Sequence, residues 1–250
     1  MTLFLGKKPA TPNPHDFAFA KYRAAELAVQ VPRSFGHYHL VPNFGMLGND
    51  RAGDCVWAGA DHETMMWLAT HGTFAHFADE NALADYSAVT GYNAADPNSD
   101  QGTDVHDALS YRRHVGVVDS AGVRHKLGAF VELEPGNYEH LIEATYLFGA
   151  VGIGFEFPLS AMDQFDRGKP WSVVTGSKID GGHYVPVVGR AGSYIDVVTW
   201  GKVQRMTRTF YERYCDEAYA LLSPEYLNRG RSPEGFDLKA LTADLASLKK

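Results

Sequence analysis

The chain is poor in cysteine, in basic charge and in long apolar runs, and each shortage removes a class of function. Two cysteines in 250 residues, Cys55 and Cys215, form neither a disulfide-rich scaffold nor a C-x-x-C pair, which points to a reducing compartment. Lys and Arg number 23 against 30 Asp and Glu, a formal net charge of -7. No basic run could track a phosphate backbone, so nucleic acid is not expected as a partner. The only apolar piece near the N-terminus is Leu3 to Leu5, followed by prolines. Neither a signal peptide nor a membrane span is visible, so no membrane partner and a cytoplasmic location are expected. H-E-x-x-H and G-x-x-x-x-G-K-[ST] are both missing, and no cofactor or metal is expected. Internal repeats and low-complexity segments are absent too. What remains is a chain with 45% hydrophobic residues, enough for one substantial core built as two lobes.

A Pro-rich lead precedes a helical candidate, FAFAKYRAAELAVQ, that ends before Pro32. Residues 31–53 are rich in Gly, Pro and Asn and predict an extended segment and loop. Residues 55–70 predict a strong helix, with Val56, Trp57, Ala60, Thr64, Met65, Trp67 and Leu68 at three-to-four spacing and Gly72 as its stop. Further helices are expected over 104–115, with Thr103 as N-cap and Gly116 beyond it, and over 138–148, between Asn137 and Gly149. After residue 149 the texture turns strand-like in AVGIGFEF, GGHYVPVVGR, SYIDVVTWG and KVQRMTRTFY. Helices first and strands second predict an α+β protein. The expected organisation is an N-terminal extension (1–30), one domain of two lobes (31–222), and a tail (223–250) whose leucine stripe in FDLKALTADLASL would dock on the body.

The chemistry concentrates on Cys55 and His183. Cys55 opens a predicted helix after a Gly-bearing loop, where helix N–H groups favour a thiolate. Set against this is the plain reading of a buried apolar thiol. Asp54 would oppose the thiolate if it pointed the same way, or would cap the helix. His183, in DGGHYVPVVGR, heads a predicted strand after a glycine pair and could serve the sulfur as base and the leaving group as acid. The other histidines, including the His37 and His39 pair, His62, His71 and His76, stand at no recognised zinc spacing. The glycines of GAVGIGF read as a packed strand rather than a phosphate cradle.

The order of these segments resembles the papain-like cysteine peptidases over about residues 31–222. VPNFGMLGNDRAGDCVWAG is similar to that family's lead, oxyanion loop and Cys-bearing helix start. SDQGTDVHDALSYRRHVGV is similar to its Gly-bearing substrate turn, GGHYVPVVGR to its histidine strand, and SYIDVVTWG to the strand ending in Asn-Ser-Trp-Gly. The resemblance implies a papain-like two-lobe fold with a helical N-terminal lobe and an antiparallel β-rich C-terminal lobe. It also implies cysteine peptidase activity on a peptide or protein substrate. By the same resemblance Cys55 would be the nucleophile, His183 the base, and Asn49 the oxyanion donor. Thr199 or Val198 would orient His183, Trp200 would shield it, and Gln101, Gly102, Thr103 and Gly182 would line the substrate cleft. An apolar side chain next to the scissile bond is the family's expectation.

The sequence departs from that pattern at several points. Asn49 stands in place of glutamine, Thr199 or Val198 in place of asparagine, and Val56 in place of the aromatic after the cysteine. About 54 residues precede Cys55, too few for the family's long inhibitory prosegment. Two alternatives stay open: a catalytically silent papain-like fold used for binding or assembly, and a cell-wall amidase or endopeptidase, since GDCVWAG also resembles the start of CHAP-type amidases. A bacterial or phage source would suit so compact a chain; oligomeric state is not legible.

Overall fold

The computed structural model describes residues 3–11 and 30–226. Nearly all of the helical candidate at 17–30, and the whole leucine-striped tail helix, lie outside the described residues. Helix α1 (Cys55–Ala69) begins and ends close to its expected bounds. Thirteen of its fifteen residues are buried, so it is a core helix covered on all sides rather than a surface one with a wet face. Helices α2 (Asp79–Thr90) and α3 (Val105–His114) pack beside it. The cap of α3 is Asp104, whose side chain accepts the Asp107 N–H, and not Thr103. A short hairpin of β2 (Val117–Val118) and β3 (Arg124–His125) follows.

The larger body is an antiparallel seven-stranded sheet. Its strands are β1 (Ser34–Gly36), β4 (Ala129–Glu132), β5 (Val151–Pro158), β6 (Ile179–Ala191), β7 (Tyr194–Thr199), β8 (Lys202–Thr207) and β9 (Cys215–Leu222). Their order is β4-β9-β5-β6-β7-β8, and β1 pairs with the far end of β6. Helices α4 (Tyr138–Phe148), α5 (Leu159–Asp166) and α6 (Arg208–Tyr214) complete the chain. KVQRMTRTFY is strand only to Thr207; that residue's hydroxyl then accepts the Phe210 N–H and starts α6. The stretch expected to be irregular, 31–53, contains β1 and a single 3-10 turn at Tyr38–Leu40.

Each face of the sheet carries a core. Along β6, Val185 and Val187 enter one core with Leu141, Phe155 and Phe210. Tyr184 and Val188 enter the other with Trp57, Trp67 and Leu109, as the two-residue period of a strand requires. The helix α1 crosses β6 at Gly59, where a Cβ would lie 2.7 Å from the Tyr184 ring. Glu63 of α1 locks the crossing, held 2.7 Å from Arg112 of α3 and 2.8 Å from the Tyr184 hydroxyl. Helix-rich and sheet-rich parts thus meet along α1 and β6. Among the described residues no helix is long and apolar enough to cross a membrane.

Candidate active site

The α1–β6 contact places Cys55, the first residue of α1, against the strand that carries His183. The backbone N–H groups of Tyr184 and of Gly6 act on the Cys55 thiol and favour its ionised form. Burial nevertheless pushes the thiol up to about 12, and the neighbouring Asp54 adds to that rise. Asp54 makes no side-chain cap on α1. Its burial raises its own pKa well above the usual carboxylate value, which favours the neutral acid and weakens its opposition to a thiolate.

His183 is buried, and burial lowers its pKa to about 3. Its Nε2 lies 2.8 Å from the Thr199 hydroxyl. Val198, one residue earlier, points into the core on the helical side, so strand alternation selects Thr199 for this contact. With the Thr199 oxygen accepting from Nε2–H, the imidazole carries its lone pair on Nδ1, and Nδ1 has no hydrogen-bond partner among the described residues. Trp200 turns through φ +46° and stacks on the imidazole, ring centroids 4.4 Å apart and planes 17° apart. Phe157 packs on the same ring at 5.2 Å. Cysteine and histidine are therefore both held neutral in this state, in a site closed to water.

The closure has a visible cause. Residues 3–8 run through the cleft between the two parts, backbone against backbone. Thr103 N–H donates to Gly6 O at 2.7 Å, Lys8 N–H to Thr103 O at 3.0 Å, and Lys7 N–H to Gly182 O at 3.0 Å. A Cβ on Gly102 would lie 2.3 Å from Gly6 O, and one on Gly182 2.1 Å from Lys7 O. Both glycines are thus required by the close approach of this strand. The Asn49 amide donates to Phe4 O at 3.3 Å, and Trp200 Nε1 reaches the same oxygen at 3.4 Å. Gln101 is exposed and turns its amide to Asn98 O, away from the cleft. Thr103 is fixed to α1 by Trp57 Nε1, 3.0 Å from its hydroxyl.

Of the residues expected from sequence, the fold gathers Cys55, His183, Thr199, Trp200, Asn49, Gly102, Thr103 and Gly182 around one short segment and leaves Gln101 outside. Sequence reasoning missed the segment itself, with Gly6 and Lys7, and the two acids that hold Lys7, Asp216 and Glu217. Nothing local marks Lys7: its acidic partners are more than 200 residues away. No group of three or more His, Cys, Asp or Glu able to hold a metal occurs among the described residues. A cavity of about 680 Å³ between Val41–Leu47 and Phe74–Glu80 shares no residue with this site.

Comparison with solved structures adds a likeness that the sequence alone only suggests. Xylellain, a cysteine protease from Xylella fastidiosa, superposes with a TM-score of 0.68 at 13% identity, over 89% of this chain and 97% of that one. The chain has the papain-like fold. A digestive procathepsin L 3 from the larval midgut of Tenebrio molitor matches with a TM-score of 0.60 at 17% identity, covering 88% of this chain and 76% of the other. The Carica candamarcensis cysteine protease CMS1MS2 matches at 0.54 and 14% identity, over 77% and 99%. No family profile and no curated protein sequence matches the chain. At such identities the papain-like likeness speaks for the fold and not for the chemistry.

Proposed function

We propose that the protein is a thiol-dependent hydrolase of peptide bonds, held closed in this state by its own residues 3–8. The observation that carries the reading is the His183 imidazole. Thr199 fixes its Nε2 side and leaves Nδ1 unpartnered, on the strand whose next N–H favours the Cys55 thiolate. His62 is buried with an unpartnered Nδ1 too, so the reading rests on the placement of His183 beside Thr199 and on the strand facing Cys55.

Once the segment leaves, water re-enters and the desolvation that keeps both groups neutral falls. The proton moves from Cys55 Sγ to His183 Nδ1, giving a thiolate–imidazolium pair. The thiolate attacks the substrate carbonyl carbon. The oxygen's developing charge is stabilised by the Cys55 N–H and by the Asn49 amide, which already donates to a main-chain carbonyl in the cleft. The imidazolium then protonates the leaving amine, and water, deprotonated by the same imidazole, releases the acyl group.

The test is hydrolysis of a mixed peptide library by the intact protein and by a Gly6→Ala variant, with Cys55→Ala as control. Cleavage that appears on release and requires Cys55 supports the reading. If the released variant is inert, the silent fold takes its place, and release of amines from peptidoglycan but not from peptides would make the protein a cell-wall amidase.

A further inference from the structure

The segment in the cleft carries information about what else belongs there. Lys7 follows Gly6, the residue at the sulfur, and its side chain is 0% exposed. The Nζ has three oxygens at 2.8 Å: Lys8 O, Asp216 Oδ2 and Glu217 Oε1. Lys8 O and Asp216 Oδ2 accept hydrogen bonds from the ammonium, while Glu217 Oε1 meets it as an ion pair. Gly154 of β5 forms the floor. A Cβ there would lie 2.6 Å from Lys7 Cδ and 2.6 Å from Glu217 Cγ, so the glycine leaves a channel just wide enough for an aliphatic stem.

A buried acidic pair is costly unless a cation meets it, because two carboxylates out of water repel each other and lose their hydration. Asp216 and Glu217, the second and third residues of β9, form such a pair around the Lys7 ammonium, with side chains 23% and 8% exposed, and both the pair and the channel serve a group that arrives from outside the sheet. Asp216 Oδ1 is buried without a hydrogen-bond partner among the described residues, which leaves an acceptor for the extra donors of a guanidinium. The cleft's backbone acceptors and donors, Gly182 O, Thr103 N–H and Thr103 O, are sequence-independent and would hold any extended peptide. Selectivity must then come from the pocket.

We infer that the Gly154–Asp216–Glu217 pocket is a specificity subsite for a lysine or arginine side chain of the substrate, one residue removed from the residue at the Cys55 sulfur, and that Lys7 occupies it as an intramolecular surrogate. This rests on the peptidase reading only for the statement that the incoming peptide is a substrate. It departs from the apolar preference that the family resemblance implies.

The experiment measures binding, not turnover, so that it stands apart from catalysis. Full-length protein carrying Cys55→Ala is used in two forms, one with Gly6→Ala to displace the segment and one with Gly6→Ala and Lys7→Ala together, to displace it and remove the competing ammonium as well. Calorimetry compares two blocked tetrapeptides identical except for lysine or norleucine at the pocket residue. Lysine should bind at least tenfold more tightly in both forms, and Asp216→Asn with Glu217→Gln should remove the difference. Equal binding of the two peptides, tighter binding of norleucine, or no binding of either in both forms overturns the inference. A lysine preference in a protein whose Cys55 form hydrolyses nothing would retain the subsite and reject the peptidase.

Discussion

Replacing Gly6 with alanine should open the cleft while Cys55, His183 and Thr199 all remain in place. The new Cβ would stand 1.7 Å from the carbonyl oxygen of Gly53, against an ordinary contact of 3.4–4 Å. Neither partner can yield, because both are backbone and Gly53 itself precedes α1 by only two residues. The segment must move by well over an ångström, and three backbone hydrogen bonds then go together: Thr103 N–H to Gly6 O, Lys7 N–H to Gly182 O and Lys8 N–H to Thr103 O. At about 1 kcal/mol net for each, the closed state loses on the order of 3 kcal/mol, which corresponds to roughly a hundredfold shift towards the open state. The assay is the second-order rate of Cys55 modification by iodoacetamide at neutral pH, with Cys215→Ser in both proteins so that one thiol is read. Intact protein should react slowly, its thiol being pushed up to about 12 by burial. The Gly6→Ala form should react on the order of a hundred times faster. An unchanged rate in a folded Gly6→Ala protein would refute the claim that residues 3–8 close the site.

Other outcomes follow from the same contacts. Thr199→Val keeps the side-chain shape but removes the acceptor 2.8 Å from His183 Nε2. A hydrogen bond to a charged group contributes about 1.5–3 kcal/mol, so kcat/KM in the Gly6→Ala background should fall by roughly 10- to 100-fold, and no change would remove Thr199 from its role. Arg112→Met leaves Glu63 buried without its cation; urea unfolding should show a loss of about 3–5 kcal/mol, and a loss under 1 kcal/mol would mean that the Tyr184 hydroxyl suffices. Burial lowers the His62 pKa to about 4, so the folded protein binds fewer protons than the unfolded chain between pH 4 and the ordinary value of 6.5. Its contribution is complete above the upper limit and is lost as pH falls, by about 3 kcal/mol across the interval. Measured as the stability difference between the natural protein and His62→Gln, the advantage of histidine should shrink steadily on acidification; a pH-independent difference would show that His62 titrates normally.

Much of the fold was legible because local signals and burial agreed. The helix expected over 138–148 has those bounds in the structure, since Asn137 caps it and Gly149 ends it at φ +76°. The helix carrying Cys55 was readable from its apolar spacing, and the glycines of GAVGIGF do permit close packing: Gly152 meets the Tyr184 hydroxyl and Gly154 the Lys7 stem. Helix α2 escaped notice because its buried residues are Ala82, Asp85 and Tyr86, a face without an apolar stripe. The turn from β8 into α6 was hidden by Thr, Phe and Tyr, residues that favour strands. In the site, His183 and Cys55 could be named from their settings, but the partner of each could not. Whether Thr199 or Val198 meets the imidazole depends on strand parity, and whether Leu3 to Lys8 is a loose lead or a plug depends on pairing with residues near 49, 103, 182 and 216. Such pairings carry no local pattern.

An ion pair of Cys55 and His183 should form once residues 3–8 are displaced. Its most direct measurement is the pH dependence of Cys55 alkylation between pH 4 and 9 in Gly6→Ala, Cys215→Ser protein, with and without His183→Ala. The rate should be fast, persist well below the ordinary thiol pKa of about 8.5, and disappear with His183. A rate that rises only near or above that pH, and is indifferent to His183, would rule out the ion pair and leave a papain-like fold without papain-like chemistry.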